Sequence, residues 1–495
     1  MKLQLQNTEK RRSFTFMSVL MTMFALVWAM NAQAGTMITF TVQASNGDGY
    51  LHALAFSAKN MGYHVEYPLP NVPYIVYHNE FTINWGNGQI TENKLIGIGG
   101  DIWVCNYGMG TLPYAAGDTA YYTVTVSVPE AYIFDFNCQS VTNITDLNVS
   151  DCPSLEYLRC GGNRLTSLDL TDNTVLKQVK CDNNQLTNLD LSNKVLLTEV
   201  TCSYNNLTDL NLTGSMQIDT LDCSNNEFTA LDFSGRTALT ELKCIGNPLA
   251  TLNVSSCTAL KQLDCYDNQL TVLNVGGCTA LEHLNCYDNL FTTLNLSECT
   301  ALGYLHCYNN ELTSLILPNN APSNRIDCKN NHFLLSDLYN ISATINNANC
   351  YKNYLDQTLP LREIQIGETV DYSAEKEFDG FATDFYVSKL GDGYYQTAVE
   401  DEDYNISEGV ITFNTPGGYM VSMYNSQGVP NSTVNPTSVT ATFTVGDGAG
   451  ISKTEVTANI TVYPNPAKDE LRIMNYELRI NNVEIVDITG KIIYN

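Results

Sequence analysis

The chain has 495 residues, so it has room for several domains and core size sets no limit on it. Only 16% of residues are charged, yet acidic ones outnumber basic ones 52 to 25, for a formal net charge of −27. Such a balance repels phosphate backbones and anionic lipid heads, which argues against nucleic acid and membrane surfaces as partners.

Residues 1–34 read as a secretory signal. Lys10, Arg11 and Arg12 form the basic start, Phe14 to Met30 the apolar stretch, and Ala32-Gln33-Ala34 a small-x-small cleavage site. No later stretch is apolar enough to span a bilayer, so no membrane span is expected in the mature chain. Residues 35–130 carry alternating β-like runs, such as Met37–Val42 and Tyr121–Val128, with a turn at Trp85-Gly86-Asn87-Gly88. They suit a β cap that covers the exposed end of a solenoid core.

Residues 131–356 hold a repeat. Cys160, Cys181, Cys202, Cys223, Cys244, Cys265, Cys286, Cys307 and Cys328 are each 21 residues apart, with Cys138 and Cys350 lying 22 residues outside the run. Around each stands L-x-x-L-x-C-x-x-N-x-L-T-x-L-D/N-L/V; one clean copy is Leu260, Leu263, Cys265, Asn268, Leu270, Leu273 and Val275. A fixed period with this spacing is the leucine-rich-repeat signature. Leu263 and Cys265 are two apart, so in a strand both face inward, and stacked rungs make one apolar column. The fold class expected is therefore mainly β: a solenoid of about ten rungs at roughly 4.8 Å spacing, with a second short strand at each L-D/N-L segment.

The Asn ladder from Asn163 to Asn331 is expected to satisfy backbone groups where the chain leaves each strand. The Cys ladder occupies a consensus apolar position, which favours buried free thiols over disulfides despite the 16 Cys of an exported chain. Cys152, Cys257, Cys278 and Cys299 form a partial second column on the return side, expected to pack.

In residues 357–447 the cysteines and the period vanish. Strand-like runs at Val410–Phe413, Tyr419–Tyr424 and Thr437–Val445, separated by turn residues, predict an immunoglobulin-like β-sandwich. Asp401, Asp403 and Asn405 mimic the start of a calcium loop, but Ile406 stands where such a loop needs Gly, so a solvated turn is expected. Residues 448–459 read as a linker.

The last segment, 460–495, opens Val462-Tyr463-Pro464-Asn465-Pro466-Ala467 and continues with Leu471-Arg472-Ile473, Asp487 and Gly490-Lys491. It resembles the C-terminal sorting domain of type IX secretion substrates of Bacteroidetes. The resemblance implies transport across the outer membrane, then release or surface attachment. The family normally adds further strands with a Gly-x-Tyr motif beyond the point reached at Asn495, so an incomplete domain with impaired export is expected. The Cys-containing repeat, and the stretch from Phe81 to Gly88, also resemble surface leucine-rich-repeat proteins of the same bacteria. That implies adhesion or host-facing interaction, with no particular ligand.

The exposed strand face is where a site is expected. The column after the Cys runs Gly161, Asp182, Ser203, Ser224, Ile245, Tyr266, Tyr287, Tyr308, Lys329, Tyr351. Tyr266, Tyr287 and Tyr308, with His283, Tyr304 and His306 beside them, form an aromatic and imidazole patch. Two readings stay open: rings that merely support one another, or a contact surface for an extracellular protein or glycan. The first half of the same face is polar and charged (Arg159, Lys180, Asp182, Glu199, Asp222). The six His are scattered and no H-E-x-x-H, G-x-S-x-G or P-loop pattern occurs, so no enzyme, cofactor or metal is expected. The chain is expected to act as a monomer, with adhesin-like binding as the first reading and a ligand-free stalk as the second.

Overall fold

A computed structural model describes residues 36–43, strand segments between 50 and 128, and residues 131–447 apart from 140–143, 320–321, 346, 348, 392 and 426–436. It also describes residues 485–486 and 492–494. The signal segment, the Trp85–Gly88 turn, the linker, most of the sorting segment and His52, His64 and His78 lie outside the described residues. The chain divides into two compact units, Met1–Asp447 and Gly448–Asn495. In the second, Ile485–Val486 pairs antiparallel with Ile492–Tyr494. No helix among the described residues is long and apolar enough to cross a membrane.

The first unit is built on a 14-stranded sheet. Each rung adds one three-residue strand in parallel register with the next: Gln262, Leu263 and Asp264 lie opposite His283, Leu284 and Asn285. The middle residue and the Cys two positions on point inward, and Leu263 and Cys265 are both fully buried. Burying each such Leu contributes about 2 kcal/mol, and only the neighbouring rungs supply the burial. The sheet continues past the repeats, through Ala131–Asn137 to Leu54–Asn60, which pairs antiparallel with it, and then Ile102–Tyr107. The expected strands at Met37–Val42 and Tyr121–Val128 are present as Thr36–Gln43 and Tyr121–Val128, paired antiparallel in a second, five-stranded sheet.

The fifteen cysteines from Cys138 to Cys350 are free and buried. Loss of hydration pushes the Cys138 and Cys181 thiols up to about 12, which keeps them protonated and unreactive. The Asn ladder works as a clamp. Asn184 Nδ2 donates to the carbonyls of Cys160, Cys181 and Asp182, while its Oδ1 accepts from Leu165 N at 2.9 Å. One residue before each Asn, the backbone takes the left-handed conformation: Asn183, Asn225, Asp267 and Asp288 have φ between 52° and 56°. Asn and Asp tolerate that region better than other non-glycine residues, which explains the run of these types there.

The return side refines one expectation. The column through Cys152, Asn173, Lys194, Ser215, Arg236, Cys257 and Cys278 is a column of donors. Asn173 Nδ2 donates to Val149 O (2.9 Å), Lys194 Nζ to Leu170 O (2.7 Å), Ser215 Oγ to Leu191 O (2.6 Å), Arg236 Nη2 to Leu212 O (3.1 Å) and Cys257 Sγ to Phe233 O (3.1 Å). In each of these five bonds the acceptor is the carbonyl 24 residues back. A buried carbonyl there needs a partner, and amide, ammonium, hydroxyl, guanidinium and thiol all serve. Cys152, Cys257 and Cys278 are therefore hydrogen-bond donors as well as packing groups.

The final rung corrects a second. Tyr351–Asn353 pairs with Arg325–Asp327, Tyr351 opposite Arg325. Tyr351 thus belongs to the first outward column and does not extend the Tyr266–Tyr308 column. A helix, Leu335–Thr344, lengthens this rung, and Tyr354, fully buried, stands where the ladder would place Cys. Gln357 takes over from Asn: its Nε2 donates to the carbonyls of Cys328, Tyr354 and Leu355. Lys352 replaces the inner Leu, and its Nζ donates to Ser342 O (3.3 Å) and Ile345 O (3.2 Å) around the C-terminal end of the helix.

Beyond it, the described residues between 357 and 446 form a six-stranded and a three-stranded sheet, in which the first strand, Gln357–Gln365, runs parallel to the last, Thr437–Gly446. The Asp401–Asp403 segment is a turn with Asp401 and Asn405 exposed, as expected, and Asp403 is tied into it. Its carboxylate accepts from Lys389 Nζ (2.8 Å), Thr415 Oγ1 (3.0 Å) and Val399 N (3.0 Å), and these bonds hold it below the usual carboxylate range.

Candidate binding face

Each three-residue strand sets two side chains outward, and the residue after the Cys sets a third. The parallel register therefore lays three columns along the face. In the column after the Cys, the rings of Tyr266 and Tyr287 stack with centroids 4.3 Å apart and planes inclined by 11°. Tyr287 and Tyr308 repeat this at 4.4 Å. In the first column, His283 stacks on Tyr304 at 4.5 Å. The rung spacing is close to the thickness of a ring, so parallel stacking follows from the scaffold. Burial, then the neighbouring Tyr266 and Tyr308, pushes the Tyr287 phenol well up, so its hydroxyl stays protonated.

The stacking decides what the patch can present. Both faces of Tyr287 are covered by rings, and the outer face of Tyr308 lies under Lys329 Nζ, 5.3 Å from its centroid. Ring edges and hydroxyls remain. The row offers no ring platform on which a sugar could lie flat, except the outer face of Tyr266.

The middle column is a hydrogen-bonded chain. Gln262 Nε2 donates to Asp264 Oδ2 (2.8 Å), Asn285 Nδ2 donates to Asp264 Oδ1 (2.5 Å), and His306 Nδ1 lies 2.7 Å from Asn285 Oδ1. Because the Asn285 amide nitrogen is committed to Asp264, its oxygen is the acceptor and His306 carries its proton on Nδ1. Nε2 of His306 is buried without a partner among the described residues. Burial lowers the His306 pKa, the Arg325 charge adds to this, and Asp327 opposes it. Arg325 reaches Asp327 at 3.2 Å and lies 4.5 Å over the Tyr351 ring.

The six residues singled out from sequence thus fall in three adjacent columns. Tyr266, Tyr287 and Tyr308 are brought together in one, and His283 and Tyr304 in another. His306 stands in the middle column, tied to Asn285. The supporting residues Gln262, Asp264, Asn285 and Arg325 were not evident from the motif. Each is an outward residue at a fixed offset from the Cys, so reading the columns rung by rung would have found them. Among the described residues no group of three His, Cys, Asp or Glu is placed to hold a metal ion.

Residues 461–495 match the family described as the secretion system C-terminal sorting domain. The chain carries a type IX sorting domain. This directs the protein to the cell surface or to the outside. Comparison with curated proteins gives no match. Among solved structures, the functional domain of InlJ from Listeria monocytogenes, described as including a cysteine ladder, is similar. It shows 26% identity and a TM-score of 0.47 over 63% of this chain and 67% of that one. An internalin-like protein of Listeria monocytogenes matches with 18% identity over 61% of this chain and 90% of that one, at a TM-score of 0.32. The leucine-rich effector YopM of Yersinia pestis matches with 21% identity over 42% of this chain and 68% of that one, at a TM-score of 0.30.

Proposed function

We propose that this exported solenoid is an adhesin-like interaction module and binds an extracellular protein through the C-terminal half of its strand face. The observation that supports this reading is the stacked Tyr266–Tyr287–Tyr308 row, with His283, Tyr304 and His306 beside it. It is an aromatic surface with a polar rim, the composition of protein contact surfaces. Protein is favoured over glycan because the ring faces are used up against one another. Edges and hydroxyls suit backbone amides and side chains better than the flat face of a sugar. The test is a combined array of extracellular proteins and glycans probed with the exported chain and with Tyr266→Ser/Tyr287→Ser/Tyr308→Ser. Binding of a protein that the triple variant loses while remaining folded supports the reading. Binding that the variant retains removes the patch from it, and no binding at all favours the ligand-free stalk.

A further inference from the structure

The return side of the solenoid is interrupted, and the interruptions are not random. Its short strands form separate sheets: Asn188–Asp190 with Asp209–Asn211, Ala230–Asp232 with Thr251–Asn253 and Val272–Asn274, and Thr293–Asn295 with Ser314–Ile316. Each break falls where the inner ladder changes from Leu to Phe, at Phe228 after Leu207 and at Phe291 after Leu270. At the first break a second Phe, Phe233, follows Leu212. Added ring volume in a packed column forces neighbouring strands apart.

The first break leaves an open cleft of about 410 Å³, lined by Asp209, Leu210, Phe228, Leu231, Asp232 and others. That volume lies within the range of ligand sites. Its lips carry unused backbone groups. Elsewhere rungs are joined by bonds such as Leu191 N to Asn211 O (2.8 Å) and Ala250 N to Thr229 O (2.9 Å). The equivalents across the cleft, Leu212 N to Asp232 O and Thr229 N to Thr208 O, are absent among the described residues. Leu210 and Leu231 are only partly buried, whereas their counterparts Leu189 and Leu252 are 2% exposed.

Charge singles out this break. Asp209 and Asp232 are exposed at its mouth, and neither forms an ion pair among the described residues. The nearby cation, Arg236, is turned inward to Ser215 O (2.8 Å) and Leu212 O. At the second break the facing strands carry Val272, Asn274, Thr293 and Asn295, none of them charged.

We propose that the cleft between Asp209–Asn211 and Ala230–Asp232 takes an extended basic peptide segment of a partner protein. The segment adds to the open strand edge through its backbone, seats an apolar side chain against Leu210, Leu231 and Phe228, and sets its basic residues beside Asp209 and Asp232. Open edges recruit strands in this way, with backbone bonds giving affinity and alternate side chains giving selectivity.

The test uses the full exported chain and a fluorescein-labelled hexapeptide of alternating Lys and Val, read by fluorescence polarisation. The expected result is salt-sensitive binding that N-methylation of alternate peptide amides weakens by about tenfold or more. Phe228→Leu/Phe233→Leu, which restores the ladder and closes the cleft, should lose binding, and Tyr287→Ser should not. Asp209→Asn/Asp232→Asn changes only exposed groups, so it keeps the test open if the Phe variant misfolds; it should weaken binding and flatten the salt dependence. No binding to the unaltered chain, or equal binding of the N-methylated peptide, overturns the proposal. So does equal binding by the folded Phe variant or by the Asp variant.

Discussion

The two halves of the strand face share one backbone and one inner ladder but spend their outward side chains differently. In the half from Tyr157 to Lys243, the cations Arg159, Lys180 and Lys243 are matched, with Asp135, Glu199 and Glu241 in turn, each at 2.7 Å. Gly161 leaves no side chain in the third column, and a Cβ there would meet Asp182 Oδ1 at 2.7 Å. In the half from Gln262 to Tyr351, charges retreat into a hydrogen-bonded chain and aromatic edges come forward. The scaffold constrains only the inward positions, so the outward ones are free to differentiate. The first half is chemically closed on itself, and the second keeps groups to offer.

If the scaffold is uniform beneath this difference, the largest effect should be the same in both halves. Asn184→Ala and Asn289→Ala each remove one of the two donors on three carbonyls and leave one buried N–H, of Leu165 or Leu270, without its partner. Each should cost about 2–3 kcal/mol, because the N–H left unsatisfied carries its full desolvation penalty and three shared bonds are lost with it. Chemical denaturation measures this, and clearly unequal losses would mean that the halves differ in scaffold as well as in surface.

The next effect should separate them. Tyr287→Ser removes two ring contacts from the second half and should lower stability by about 1–2 kcal/mol. Ser203→Ala, in the same column of the first half, should change stability by less than about 1 kcal/mol, since Ser203 stacks on nothing. Equal losses would show that the ring stack adds nothing beyond volume.

Acidification should touch the halves in different windows. His306 has a lowered pKa in the folded chain, so its contribution is present above the ordinary histidine value of 6.5 and is lost as pH falls below it. In Glu199, burial pushes upward, but the bonds from Lys180 and Gln178 outweigh it and the pKa is lowered. Its contribution persists below the histidine window and is lost only under the ordinary value of 4.5. Amide exchange followed against pH should therefore quicken first around the His306 rung and later around the Glu199 rung. His306→Gln should abolish the first step alone.

How far these differences were legible depends on how residue type maps onto role. The inner ladder was legible because Leu and Cys keep a spacing of two within the rung and 21 between rungs. The Asn clamp was legible for the same reason. The donor column was not, because Asn173, Lys194, Ser215, Arg236 and Cys257 share a function and no chemical class. The register at Tyr351 misled because Cys350 imitates the ladder while the Leu335–Thr344 helix lengthens the rung. Of the candidate patch, the rings were legible as a column, but their mutual stacking depends on ring orientation, which spacing does not fix. The role of Phe228 and Phe291 in dividing the return sheet depends on volume within a packed column, which a pattern of apolar letters does not record.

The smallest effect is the one that best tests whether the first half is closed. Lys180 and Glu199 are each about one third exposed, at 31% and 32%, so solvent screens their attraction. A double-mutant cycle with Lys180→Met and Glu199→Gln should return a coupling of about 0–1 kcal/mol, shrinking further in salt. The pair is thus a weak source of stability. What it does is occupy two charges that would otherwise be offered outward. On that reasoning Glu199→Gln, which frees Lys180, should leave folding nearly unchanged and yet raise salt-dependent adsorption of the chain to anionic surfaces. Retention on a cation-exchange resin, compared with the same single removal at Glu241, measures it. If neither variant is retained longer than the unaltered chain, the ion pairs do not close the face, and the contrast between the halves rests on the aromatic residues alone.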